Sequence, residues 1–321
     1  MRTLPVLATA LLAFGSLTVQ AVDRAARPEE GTAIEGYEPT TVGYTHDSYD
    51  VPYMDALLSL KYRLLAPYIT NSDRLYLAFT GRFAFYRGSR NSSPIVGKLF
   101  NPKLLWRHLI TREADQFQGT KVWSRSASPP QDDYFDFGYA HESNGQTIST
   151  LAQFNDELRN ETDPRFAVDK ISRGWDYLEL VAKRTLREQS RDRVAAFATL
   201  KYFLKHGLLQ GTAEEYAAWE ASAEGKPMSA VDGIGGLLEY QRSWQALSIH
   251  GSPVFADPRV ALAYATGYRS PFRYSTVRLE AGLYVFGLPL TVWRQVGYDS
   301  NLAHYYIKAR SWGIGLRIGD F

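Results

Sequence analysis

The chain contains no cysteine. That absence excludes disulfides, thiolate metal sites and cysteine nucleophiles at once, and it suits an envelope protein that must pass unfolded through an oxidising compartment. Beyond the first 21 residues no run of about 18 apolar residues occurs, so any insertion into a membrane must use strands closed into a barrel. A basic cluster is lacking too. The 36 Lys and Arg nearly balance the 34 Asp and Glu and are scattered along the chain, which leaves no nucleic-acid footprint. Disorder is excluded by a hydrophobic share of 45% and a charged share of 22% over 321 residues, enough for one large domain or two small ones.

Aromatic residues are abundant, at 14% with 21 Tyr and 7 Trp, as in barrels with aromatic girdles at the membrane interfaces. The opening MRTLPVLATALLAFGSLTVQA reads as a secretory signal over residues 1–21: an early arginine, an apolar run and small residues at the end. Residues 22–50 are polar and irregular, and residues 51–321 are expected to form the barrel domain. Within it, period-two alternation recurs. Leu75, Leu77, Phe79, Phe83 and Phe85 share one face of a segment whose other face holds Arg74, Tyr76, Thr80 and Arg82. Residues 275–285 repeat the pattern, and the C-terminal strand sets Trp312, Ile314, Leu316 and Ile318 against Ser311, Arg317 and glycines before a final phenylalanine. Long alternating strands in an exported, aromatic-rich chain predict an all-β fold, an antiparallel transmembrane barrel with a polar lumen. Residues 211–225, rich in Ala and Glu and followed by Gly225-Lys226-Pro227, predict a short helix in a loop.

One strand breaks the logic of its own apolar face. Phe135, Phe137, Tyr139, His141 and Ser143 follow one another at every second position, so a histidine and a serine sit where lipid-facing side chains belong. Their Cβ atoms are expected roughly 6.5 to 7 Å apart, within reach of a hydrogen bond between imidazole and hydroxyl. A serine needs a base, and the base needs a partner to fix its tautomer. Asp176 in SRGWDYLEL offers that partner, since it shares a face with Leu178 and Leu180. A carboxylate left alone on a lipid face should cost a few kcal/mol. His206, His250 and His304 read as ordinary surface histidines.

These residues resemble the outer membrane phospholipase A family of Gram-negative bacteria. The resemblance rests on HESNG at 141–145, on SRGWD at 172–176 where the family has SRSWN, and on SSP at 92–94 followed by Asn101-Pro102. It implies a barrel of about 12 strands in the outer membrane, which hydrolyses acyl esters of membrane phospholipids as a reversible, calcium-dependent homodimer. Carried over, Ser143 is the nucleophile, His141 the general base and Asp176 the orienting residue, with the amide of Gly145 at the oxyanion. Ser92 and Ser172 would lend hydroxyl oxygens, and Gln146 a backbone carbonyl, to Ca2+. Three departures stand out. Asp176 replaces asparagine, residues 146–171 are longer than the family's connection, and Gly81 falls where the family has a glutamine at its dimer seam. Two other readings stay open: a barrel without catalysis, serving as a channel or structural protein, and a secreted soluble β-sandwich hydrolase.

Overall fold

A computed structural model describes residues 34–48, 52–64, 72–86, 95–110, 133–161, 163–189, 191–210, 226–249, 252–298 and 301–319. The segment read as a signal, Ser92, His250 and the helix expected at 211–225 lie outside the described residues.

Fourteen strands form one antiparallel sheet. They are Ile34–Gly36 (β1), Thr40–Asp47 (β2), Tyr53–Leu64 (β3), Asp73–Phe85 (β4), Ile95–Ile110 (β5), Asp133–Ser143 (β6) and Gly174–Glu188 (β7), then Asp192–Phe203 (β8), Gly233–Arg242 (β9), Gln245–Ile249 (β10), Ser252–Gly267 (β11), Ser275–Val285 (β12), Leu288–Tyr298 (β13) and Lys308–Ile318 (β14). β1 and β2 pair in succession with β3, as β9 and β10 do with β11. Each couple is one interrupted strand. The ring therefore holds twelve strands around, and β3 closes it by pairing with both β2 and β4. Closure leaves no unpaired edge, which is the condition for a sheet to cross a bilayer.

The wall begins earlier than the alternation indicates. β1 and β2 fall within the stretch read as irregular, because in TTVGYTHD the outward residues include just Val42, Tyr44 and His46 while the inward ones are small or polar. Elsewhere the expected faces hold. Leu77, Leu279, Trp312 and Ile314 are half exposed on the outside, whereas Tyr76, Thr80, Ser311 and Arg317 are buried inside.

The lumen is filled with paired charge. Arg107 grips Asp136 with two hydrogen bonds of 2.6 and 2.7 Å, and Lys103 meets Glu179 at 2.8 Å. Arg317 on β14 reaches Glu239 on β9 at 3.1 Å, a span over three intervening strands, and Arg259 joins the same carboxylate at 2.9 Å. Buried charges are tolerated when they are paired and hydrogen-bonded in this way.

Between β6 and β7 the long connection carries two helices, Leu151–Asn160 (α1) and Pro164–Asp169 (α2). Thr150 and Gln153 form a reciprocal capping box on α1, and Asp163 caps α2 ahead of Pro164. A third, four-residue helix, Met228–Val231 (α3), precedes β9. His304, read as a surface residue, is 1% exposed, and its Nε2 lies 3.0 Å from Asp169 Oδ1. It ties α2 to the turn before β14, because a polar connection folded back over the barrel mouth buries whatever it covers.

Candidate active site on the outer wall

β6 and β7 are in register so that His141 faces Asp176 and Ser143 faces Gly174. The pleat sends all but the glycine outward, beside the exposed Phe137 and Leu178. The imidazole Nδ1 lies 2.5 Å from Asp176 Oδ1. With Nδ1 as donor to the carboxylate, Nε2 is the nitrogen left to accept a proton.

Asp176 is fully buried although it points outward. A segment after β8, residues 204–210, folds across it. The backbone amides of Leu209 and Gln210 donate to Oδ2 at 2.7 and 3.1 Å, and the Tyr139 hydroxyl donates to the same oxygen. Tyr139 in turn accepts from the Leu208 amide at 2.9 Å. The Leu204 amide donates to the Asp176 carbonyl at 2.8 Å, which starts the strap where the β7–β8 ladder ends. Four donors thus surround one carboxylate, and the charge expected to be costly against lipid never meets lipid.

Ser143 stands two residues beyond His141 on the same face. Among the described residues its hydroxyl makes no hydrogen bond. Gly174 keeps the space between the two groups clear. A Cβ there would sit 3.3 Å from Ser143 Cβ and 3.4 Å from His141 Cε1, tighter than ordinary packing.

Gln146 and Ser172, two of the three residues expected around a cation, come from opposite ends of the long connection. Asn144, 1% exposed, accepts from the Arg173 amide at 2.9 Å and the Gln146 amide at 3.4 Å, and it donates to the Ile171 carbonyl at 2.8 Å. A parallel bridge between Ile148 and Ile171 continues the clasp, with the Ser172 amide on the Ile148 carbonyl at 2.7 Å. Gln146 and Ser172 are therefore neighbours, and the extra length is spent in α1 and α2 beyond the clasp. The Gln146 side chain donates to the Val96 carbonyl at 2.7 Å, against the start of β5. Among the described residues no group of three or more His, Asp or Glu could hold a metal. The donors on offer are neutral oxygens, which suit Ca2+ and not a transition metal. Gly145 takes a left-handed φ of +55°, and a Cβ on it would come 3.2 Å from the Phe100 ring.

Tyr139, Asn144, Gly207 and the amides of Leu209 and Gln210 complete the site without having been singled out in the sequence. Tyr139 carried a signal, as the outward neighbour of His141. The segment LKHGLLQ carried none.

A closed antiparallel ring with an apolar outer wall, a charged interior and no edge has the architecture of an integral outer-membrane β-barrel protein. Among solved structures it matches outer membrane phospholipase A from Escherichia coli, with 14% identity over 90% of this chain and 99% of that one and a TM-score of 0.56. It matches a Salmonella typhi outer membrane phospholipase dimer with bound calcium at 15% identity, over 91% and 94% of the two chains, with a TM-score of 0.56. No family model matches the chain, and no curated protein does. The shared fold rests on structure alone at this identity.

Proposed function

We propose that the protein is a calcium-dependent outer-membrane phospholipase that cleaves acyl esters of membrane phospholipids on the outside of its barrel. The observation that carries this reading is the outward His141–Asp176 pair, in register with Ser143 over Gly174. Bound by the mouth of the barrel, a phospholipid presents its ester carbonyl to the wall. The Ser143 Oγ attacks that carbon while His141 Nε2 takes the hydroxyl proton. The same proton then passes to the glycerol oxygen as the ester C–O bond breaks, and the lysophospholipid leaves. Water then attacks the acyl-serine, losing a proton to His141, and that proton passes to the Ser143 Oγ as its bond to the acyl carbon breaks and the fatty acid leaves. Asp176 stabilises the imidazolium in both halves. Ser92, Ser172 and the Gln146 carbonyl would hold Ca2+, whose charge would stabilise the oxyanion together with the Gly145 amide.

The Salmonella neighbour is a dimer with calcium, and we extend reversible dimerisation to this chain. Gly81, at the family's glutamine position, lies between the outward rings of Phe79 and Phe83, where a Cβ would meet them at 3.0 and 3.4 Å. A seam there would be apolar.

A channel is the competing reading, and the ion pairs that cross the lumen argue against it. Phospholipid hydrolysis by the detergent-purified chain in mixed micelles, with and without Ca2+, tests the proposal. Release of fatty acid that needs Ca2+ and vanishes in Ser143→Ala supports it. No ester cleavage by the wild-type chain with Ca2+ present would sink it.

A further inference from the structure

The outer wall carries a second polar feature, several strands away from Ser143. On β13 and β14 the outward positions include Arg294, Arg310 and Lys308, all exposed. In register, Arg294 faces Trp312, Val296 faces Arg310 and Tyr298 faces Lys308. Arg294 and Arg310 are thus diagonal neighbours about 7 to 8 Å apart across the two strands, and Lys308 lies one repeat beyond Arg310. Trp312 stacks on His46 of β2, with ring centroids 5.6 Å apart and planes at 13°. Among the described residues, none of the three cationic head groups has an ion-pair or side-chain hydrogen-bond partner.

An arginine on a lipid-facing wall is costly at the bilayer midplane, by roughly 2 to 4 kcal/mol, and nearly free at the interface. Long cationic side chains settle the matter by reaching for the headgroup level. Lys308 and Arg310 belong to the barrel end that also bears Ser143, where β6 ends, β13 ends and β14 begins, and Arg294 lies one outward repeat further in, level with Trp312. Outward positions of β12, β13, β14 and β2 include no carboxylate. Other outward cations are single or partnered: Lys98 stands alone on β5, Arg184 and Arg187 on β7 meet Asp133 at 3.6 Å and Gln189 at 2.8 Å, and Arg242 on β9 meets Asp192 at 3.8 Å. Among the described strands, a group of outward cations without side-chain partners is found on β13–β14.

Beside and below the cations the wall is apolar. Leu279, level with Arg294, and Val292, Ile314 and Val42 below it are 45 to 53% exposed. A ligand for this surface must join a compact negative charge to hydrocarbon, with the charge at the rim. Guanidinium groups hold phosphate oxygens two at a time. We propose that Arg294, Arg310 and Lys308, with Trp312 and His46 at the same level, form a binding site for the phosphate headgroup of an anionic membrane lipid, distinct from the site of hydrolysis.

The test uses a lipid with no ester bond, so that Ser143 plays no part. The full chain in mixed micelles is offered equal ether-linked phosphatidylglycerol and ether-linked phosphatidylcholine, and retained lipid is read by native mass spectrometry. Phosphatidylglycerol adducts should dominate in the wild type. Arg294→Gln/Arg310→Gln should weaken retention roughly 20- to 30-fold, about fivefold for each cation, while Lys98→Gln leaves it unchanged. Heat-modified gel mobility verifies that each variant keeps its barrel. Equal retention of the two lipids, or undiminished retention by the double variant, overturns the site. Displacement by millimolar inorganic phosphate would show a free-anion site and overturn it as well, and so would a change of oligomeric state in place of a change in lipid retention.

Discussion

Gly207 lies directly over Asp176: a Cβ placed on the glycine would fall 1.9 Å from the Asp176 Oδ2 and 2.2 Å from its Cβ. The strap can donate two amides to the carboxylate because it touches it with bare backbone. Gly207→Ala cannot be absorbed by a side-chain rotation, since the obstacle is the carboxyl group itself. The strap must lift, the amides of Leu209 and Gln210 lose their acceptor, and Asp176 meets lipid or water. Hydrolysis should fall at least tenfold with the barrel still folded, as read by ester release beside heat-modified gel mobility. Full activity in this variant would show that the strap does not position the acid.

Tyr139→Phe removes one donor from Asp176 and the acceptor of the Leu208 amide while keeping the ring. A lost hydrogen bond to a charged group is worth about 1.5 to 3 kcal/mol. Because Tyr139 touches no reacting atom in this arrangement, the loss should appear in kcat and leave KM near its original value. The rate is expected to fall about 10- to 100-fold.

Asp176→Asn probes the departure from the family's pattern. In either amide orientation the NH2 group confronts donors. Facing Oδ2's partners, it opposes the amides of Leu209 and Gln210; facing His141, it demands that Nδ1 accept and so puts the proton on the wrong nitrogen. This site is built for a carboxylate. The substitution should lower kcat by roughly 10^2 to 10^4, the scale of a wrong tautomer in a serine hydrolase, and steady-state ester release settles it.

Much of this was legible because it depends on side-chain period. Phe135, Phe137, Tyr139 and His141 declare their face by alternation, and Asp176 declares its own beside Leu178, so the pairing of His141 with Asp176 follows once the strands are neighbours. The strap was not legible, since its contribution is backbone amides that every residue possesses. α1 and α2 carried signals in Thr150, Gln153, Asp163 and Pro164, but α1 buries none of its residues and gives no apolar stripe to notice. His304 shows the converse. A lone histidine in a polar turn has nothing in its own sequence to reveal that Asp169, from another connection, will bury it.

Asn144 holds the two ends of the long connection together through three backbone contacts. Asn144→Ala leaves the Arg173 amide and the Ile171 carbonyl buried without it, at about 1 to 3 kcal/mol for each unsatisfied group. Since Gln146 and Ser172 are brought together by that clasp, a fall in thermal stability should be accompanied by a higher Ca2+ concentration for half-maximal hydrolysis. A variant that loses stability alone, with its calcium dependence unmoved, would separate the clasp from the proposed cation site.

The lumen offers the sharpest contrast with a channel. Glu239 accepts from both Arg259 and Arg317, which approach it from β11 and β14. Glu239→Gln leaves two guanidinium groups sharing Glu280, to which Arg259 and Arg317 also bond at 3.1 and 2.7 Å. Breaking a buried pair by removing one partner costs about 3 to 5 kcal/mol; the remaining carboxylate should hold the loss toward the lower figure, measurable by denaturant unfolding in detergent. The same network predicts the electrical behaviour of the intact protein. A barrel crossed by these pairs should insert into a planar bilayer without steady conductance, and the Glu239 variant should conduct no better, because the guanidinium groups still fill the section. Stable ohmic steps from the wild-type chain would return the channel reading to first place.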